Sequence, residues 1–213
     1  MCSEPSSTLA SLREAFDRHH VIRLCGFLHP DLLASIQGGV QAAAFYDRGH
    51  DDIAREDCMV ENATLALLCL TMNDPAVFRL IEQITGCATI RFFNGRVYVM
   101  RPDAGHYDRW HSDTTQGRLI GMSVNLSSRE FTGGHFQLTH RENEQPEFDV
   151  ANTGPGDAIL FRIDDALVHR VTAVEGNVPR IAYAGWFQPA PDFLGMLKRT
   201  DAQGLVRPAV EVQ

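Results

Sequence analysis

Apolar positions change their period partway along this 213-residue chain. Before Gly86 they recur at helical spacing in three stripes: Leu12 and Phe16; Leu32, Leu33 and Ile36; and Val77, Leu80, Ile81 and Ile84. Thr8 or Ser7 can cap the first helix, and Pro30 suits the first turn of the second. Asp74-Pro75 opens the third and Gly86 closes it. A short apolar strand, 21–27, separates the first two helices. Residues 46–62 are rich in Asp, Arg and Glu and show no clear period. A solvated loop is expected there, with a mobile lid over a site as the functional alternative.

Beyond Cys87 the pattern becomes one of short strands, predicted at 89–93, 96–100, 119–126, 135–138, 158–162, 168–174 and 180–187. Turn chemistry falls between them at Asn94-Gly95, Gly133-Gly134, Gly154-Pro155-Gly156 and Gly176-Asn177. The expected fold class is mainly β with flanking helices and a jelly-roll core. The length suits one domain spanning 1–213: a helical flank over 1–88, the core over 89–188 and a C-terminal tail over 189–213.

Composition narrows the function classes. Apolar residues make up 44%, as in ordinary globular chains, and the net charge is −8. Neither a nucleic acid nor an anionic membrane surface is an expected partner, since both favour clustered Lys and Arg. No apolar run reaches the roughly 18 residues of a membrane span, and residues 1–16 lack the basic and apolar regions of a signal peptide. Cys2, Cys25, Cys58, Cys69 and Cys87 are odd in number and scattered, so reduced thiols and a cytoplasmic location are expected.

The candidate chemistry begins at Trp110-His111-Ser112-Asp113. Side chains two apart on extended backbone share a face, so His111 and Asp113 can chelate one ion. Two imidazoles plus one carboxylate is the donor set of non-haem Fe(II) that keeps positions open. The third donor must come from a distant segment, and His169 lies in the apolar strand Ala166-Leu167-Val168-His169-Arg170-Val171. If Gly176-Asn177 is a two-residue hairpin loop, Glu175 pairs with Val178 and Ala173 with Arg180. Arg180, Ala182, Ala184 and Trp186 would then share a face with His169, roughly 13 Å separating Arg180 from the ligand at strand spacing. A small dicarboxylate chelated to the metal could bridge that gap, and the planar guanidinium fork suits its far carboxylate. Arg170 would face the other way.

The stretch 98–187 resembles the 2-oxoglutarate/Fe(II) oxygenases of the prolyl-hydroxylase type. The resemblance is carried by Gly105-His106-Tyr107-Asp108-Arg109-Trp110-His111-Ser112-Asp113, by Gly133-Gly134-His135-Phe136, by Gly156-Asp157-Ala158-Ile159-Leu160-Phe161, and by the block from His169 to Arg180 with Trp186-Phe187 after it. Where the family has an apolar residue or Tyr three before the first His, this chain has Asp108. The resemblance implies a double-stranded β-helix and an iron, metal-binding dioxygenase (an oxidoreductase). It implies His111, Asp113 and His169 on Fe(2+) and Arg180 on 2-oxoglutarate, with Tyr98 or Asn125 as a second contact. O2 is the co-substrate, and ascorbate is admitted as a reductant. Oxidative decarboxylation to succinate and carbon dioxide would drive hydroxylation of an unactivated C–H in an amino acid, peptide residue or small metabolite. Desaturation or cyclisation with the same cofactors, and a non-catalytic cupin-like metal-binding module, are the alternatives. Asp113 argues against a halogenase, which leaves that position to halide. The acidic balance and the stretch 47–57 point to a neutral or cationic substrate. Asp164 and Asp165 form a solvated turn or lie at the pocket mouth.

Overall fold

The computed structural model describes residues 8–51, 53–151 and 153–191; residues 192–213 of the expected tail lie outside them. The chain begins with α1 (Leu9–His19), β1 (Val21–Leu24) and α2 (Pro30–Gln41), continues through β2 (Phe45–His50) and β3 (Ala54–Met59), and then forms α3 (Ala63–Met72) and α4 (Pro75–Thr85). The second half comprises β4 (Phe92–Met100), β5 (Tyr107–Asp108), β6 (Ile120–Asn125), β7 (Thr132–Gly133), β8 (Phe136–His140), β9 (Phe148–Val150), β10 (Ala158–Arg162), β11 (Leu167–Val171), β12 (Val174–Glu175) and β13 (Arg180–Gln188).

Helix ends follow the expected capping chemistry. Thr8 accepts from the Ser11 N–H at α1, and Asp74 accepts from Ala76 N–H at 2.6 Å at α4, whose C-cap Gly86 has φ +60°. The sequence reading missed α3, capped by Asn62. Its sequence ATLALLCLTM is apolar on every side, so no periodic stripe marks it.

The strands form two facing antiparallel sheets, the jelly-roll arrangement, and a separate two-stranded ribbon. The larger runs β1-β10-β6-β13-β4-β3-β2, with β5 also on β3; the smaller runs β11-β8-β9, and β12 pairs with β7. One face of the large sheet packs on the helices through Phe93, Val97, Met122, Val124, Leu160, Tyr183 and Phe187. Its inner face meets the small sheet through Tyr98, Ile159, Phe161, Phe136, Leu138, Leu167 and Val171. The period of two along each strand separates these cores.

Three expectations are corrected. Residues 46–62 are mostly neither loop nor lid: β2 and β3 form a hairpin that extends the large sheet. Cross-strand ion pairs take the place of apolar alternation, Arg48 with Glu56 at 3.2 Å and Arg55 with Asp47 at 3.0 Å, which hides the strand period. Asn94-Gly95 is no turn but the middle of β4, where Gly95 pairs with Gly185. A Cβ on Gly185 would sit 2.1 Å from the Asn94 carbonyl oxygen, so this close approach needs glycine. Gly176, at φ +75°, does turn the chain, but not into a hairpin: β12 pairs with β7, and β13 enters the large sheet between β4 and β6. The turn signal fixes where the chain reverses, not which sheet it joins. Among the described residues Cys58, Cys69 and Cys87 are free thiols. No single described helix is long and apolar enough to cross a membrane.

Candidate active site

His111 and His169 are brought together by the backbone itself. Each donates its N–H to the other's carbonyl, at 3.1 and 2.9 Å, an isolated antiparallel bridge that puts both side chains on one side. Their rings lie 4.4 Å apart, and His169 packs against Phe161 and Phe136 at 4.5 and 5.8 Å. Asp113 completes the cluster, with Oδ2 3.3 Å from His169 Nε2 and Oδ1 3.8 Å from His111 Nε2. One donor atom from each of the three lies within 4.8 Å of the others, so they could hold a metal ion.

The surroundings fit a divalent metal. His111 Nδ1 is 2.7 Å from the Arg109 carbonyl, which can only accept, so Nδ1 carries a proton and Nε2 is the nitrogen turned toward the cluster. Asp113 is gripped at both oxygens: Trp186 Nε1 donates to Oδ2 at 2.6 Å and Arg118 to Oδ1 at 3.0 Å. Burial alone would raise its carboxyl. The hydrogen bond and charge of His169, the charge of His111 and the Trp186 bond outweigh burial and hold the carboxyl far below the usual range. Asp108 lies behind His111. Its Oδ2 accepts from the Val171 N–H at 2.9 Å, while Oδ1 makes no hydrogen bond of good geometry and stands 3.3 Å from His111 Nδ1.

Arg180 reaches the same interior from the opposite sheet. It is buried, 6% exposed, and donates to Tyr98 Oη at 2.5 Å and Ser123 Oγ at 3.1 Å. Arginine has no acceptor, so both hydroxyls accept and their own hydrogens remain to be given elsewhere. Guanidinium and hydroxyls together form a cluster of donors suited to an anion. Ala182 and Ala184 on the same face keep the floor low, and Gly134 leaves room for the arginine stem: a Cβ there would meet Arg180 Cδ at 2.9 Å.

The residues read from sequence therefore divide. His111, Asp113, His169, Arg180 and Tyr98 converge, although Arg180 does so across two sheets and not through a hairpin with β11. Asn125 shares the inner face, but its amide is committed to two loops, donating to the Thr153 carbonyl at 2.6 Å and accepting from Ser127 N–H at 2.9 Å. Ser123, two residues earlier on β6, is the residue that touches Arg180, and nothing in the sequence distinguished it from its neighbours. Arg170 faces away, donating to Gln137 at 2.8 Å and lying over the Trp110 ring. Asp164 caps the turn before β11 by accepting from Ala166 N–H, the solvated-turn reading. A second cluster, Asp47, Asp57 and His106, also brings donor atoms together. Its carboxylates are already held by Arg55 and Arg101.

Residues 95–188 match the sequence profile of the 2OG-Fe(II) oxygenase superfamily. No curated protein matches the chain in sequence. Among solved structures, a Pseudomonas putida prolyl-4-hydroxylase is 16% identical, with a TM-score of 0.64 over 86% of this chain and 100% of its own. A Burkholderia pseudomallei oxidoreductase of the 2OG-Fe(II) oxygenase family is 15% identical, with a TM-score of 0.69 over 89% and 96%. The alpha-ketoglutarate-dependent epimerase SnoN from nogalamycin biosynthesis is 18% identical, with a TM-score of 0.65 over 96% and 91%. At these identities the likenesses speak for the fold, and the profile match speaks for the family. Residues 95–188 thus carry the sequence profile of the 2OG-Fe(II) oxygenase superfamily, whose oxidoreductases use Fe(II), 2-oxoglutarate and O2.

Proposed function

We propose that this oxidoreductase hydroxylates an unactivated C–H of an amino acid, a peptide residue or a small metabolite. In this reading His111 Nε2, His169 Nε2 and one oxygen of Asp113 hold Fe(II), and Arg180, with the Tyr98 and Ser123 hydroxyls, holds the 5-carboxylate of 2-oxoglutarate. The observation that carries it is the pairing of two sites in one interior. A His-Asp-His cluster lies on one wall, and a buried arginine flanked by two hydroxyl donors lies on the other. A metal-binding module without catalysis has no use for the second.

When bound, the cofactors supply oxidative decarboxylation: 2-oxoglutarate becomes succinate and carbon dioxide, one O2 oxygen enters succinate and the other enters the substrate. The protein's residues do the positioning. Trp186 and Arg118 fix the Asp113 carboxylate, the Arg109 carbonyl fixes the His111 ring, and Phe136 and Phe161 keep water from His169. Arg180, Tyr98 and Ser123 orient the co-substrate before reaction, so little reorganisation accompanies turnover.

The test is succinate formation by the Fe(II)-reconstituted enzyme across amino acids and peptides, with mass spectrometry of each stimulating compound. Hydroxylation requires a product heavier by one oxygen. A product lighter by two hydrogens would replace hydroxylation with desaturation.

A further inference from the structure

Beside the metal-binding cluster, the inner face formed by β2, β3 and β4 carries two arginines against one buried acid. Register places Arg48, Glu56 and Arg96 on the face that holds Tyr98, Arg180 and Trp186. Glu56 is the buried member, 5% exposed, and a single one of its oxygens, Oε1, receives both guanidiniums: Arg96 Nε at 2.6 Å and Arg48 Nη1 at 3.2 Å. Two cations thus share one carboxylate. Each arginine has five N–H donors and directs one to Glu56. Their side chains keep 29% and 34% exposure, so the remaining donors can be reached.

The pair is continuous with the reactive centre. The Arg96 guanidinium carbon lies 5.4 Å from the Tyr98 ring centroid and 5.7 Å from that of Trp186. Trp186 in turn bonds Asp113. Of the acids that favoured a cationic substrate in the sequence, Glu56 is neutralised by the two arginines on this wall. Asp47 and Asp57 occupy the alternate positions of their strands, facing the other side, and are held by Arg55 and Arg101.

We infer that the substrate bears a carboxylate, gripped by Arg48 and Arg96 while its reacting carbon faces the metal. This rests on the assignment of iron and 2-oxoglutarate above. It is a third carboxylate site, distinct from Arg180 and from the metal-binding cluster, which 2-oxoglutarate occupies. It reverses the preference for a neutral or cationic substrate.

The experiment uses enzyme loaded with Mn(II) and 2-oxoglutarate under nitrogen, so that binding is read without turnover. The probes are the free L-amino acids, their primary amides, and the N-acetyl amides of Asp and Glu, which carry only a side-chain carboxylate. Ligand-detected NMR gives the affinities. Acids are expected to bind about tenfold or more tighter than matched amides, the scale of one charge-assisted hydrogen bond. The N-acetyl amides separate a side-chain carboxylate from an α-carboxylate. Arg48→Gln should weaken the acids about tenfold and leave Mn(II) and 2-oxoglutarate uptake unchanged. Glu56→Gln releases both guanidiniums and should tighten acid binding, an effect opposite to that of losing a purely structural ion pair. Amides binding as well as acids, no acid binding at all, or weaker binding in Glu56→Gln each overturn the inference. Failure to take up Mn(II) or 2-oxoglutarate overturns the underlying assignment instead, and this inference with it.

Discussion

Removing the Arg180 guanidinium probes the proposed co-substrate site most selectively. Arg180 is almost fully buried and its hydroxyl neighbours are aligned by it, so Arg180→Ala deletes the charge and also leaves Tyr98 and Ser123 free to reorient. Loss of a charge-assisted bond to a buried carboxylate costs about 2–5 kcal/mol, which is roughly 30- to several-thousand-fold in affinity. Arg180→Lys keeps the charge but not the fork and should recover part of that. Tyr98→Phe and Ser123→Ala each remove one neutral donor, worth about 1 kcal/mol or roughly fivefold. Arg170→Ala, on the opposite face of β11, is the control and should leave the requirement unchanged. The assay is 2-oxoglutarate titration of succinate formation in all five variants, with Fe(II) affinity measured alongside. An Arg180→Ala enzyme with near-normal 2-oxoglutarate requirement, or a large defect in Arg170→Ala, would refute the assignment.

Two further outcomes follow from charges around the site. Asp108→Asn keeps an oxygen to accept from Val171 N–H but removes the negative charge beside His111 Nδ1. Metal affinity should fall about 10- to 100-fold with 2-oxoglutarate affinity at saturating metal unchanged, and unaltered Fe(II) binding would show that the Arg109 carbonyl alone supports His111. Glu56 has a lowered pKa: burial opposes this, and Arg96 and Arg48 outweigh burial. A depressed folded-state pKa contributes stability that is present above the unfolded value and lost as pH falls through the folded one. Thermal melts should therefore show an acid limb below the ordinary glutamate value of 4.5, flattened in Glu56→Gln, and an unchanged limb would remove Glu56 as its source.

The part of the site legible in sequence was the part encoded by local chemistry: His111 and Asp113 stand two apart, and the residue types of His169 and Arg180 suggested a metal donor and a carboxylate partner, whose convergence comes from the fold and not from the Gly176 turn. Ser123 could not be found that way, because a serine on an apolar strand acquires meaning only from the arginine that crosses to it. The hairpin register failed for a related reason: Gly176 states that the chain turns, whereas the choice of sheet is decided by β4 and β6, which offered β13 two partners at once. The β2–β3 hairpin was hidden because cross-strand ion pairs and one buried carboxylate replace the apolar alternation that marks a strand. In α3 the opposite excess, apolar residues on all sides, removed the stripe that marks a helix.

Anaerobic equilibrium dialysis of Fe(II) against the wild-type protein and the His111→Ala, Asp113→Ala and His169→Ala variants tests the proposed centre most directly. The expected result is one tightly held Fe(II) per wild-type chain and its loss in each variant, with thermal unfolding little changed, because the two hydrophobic cores and not the metal hold the sheets together. Undiminished Fe(II) binding in any one of the three variants would contradict the proposed ligand set.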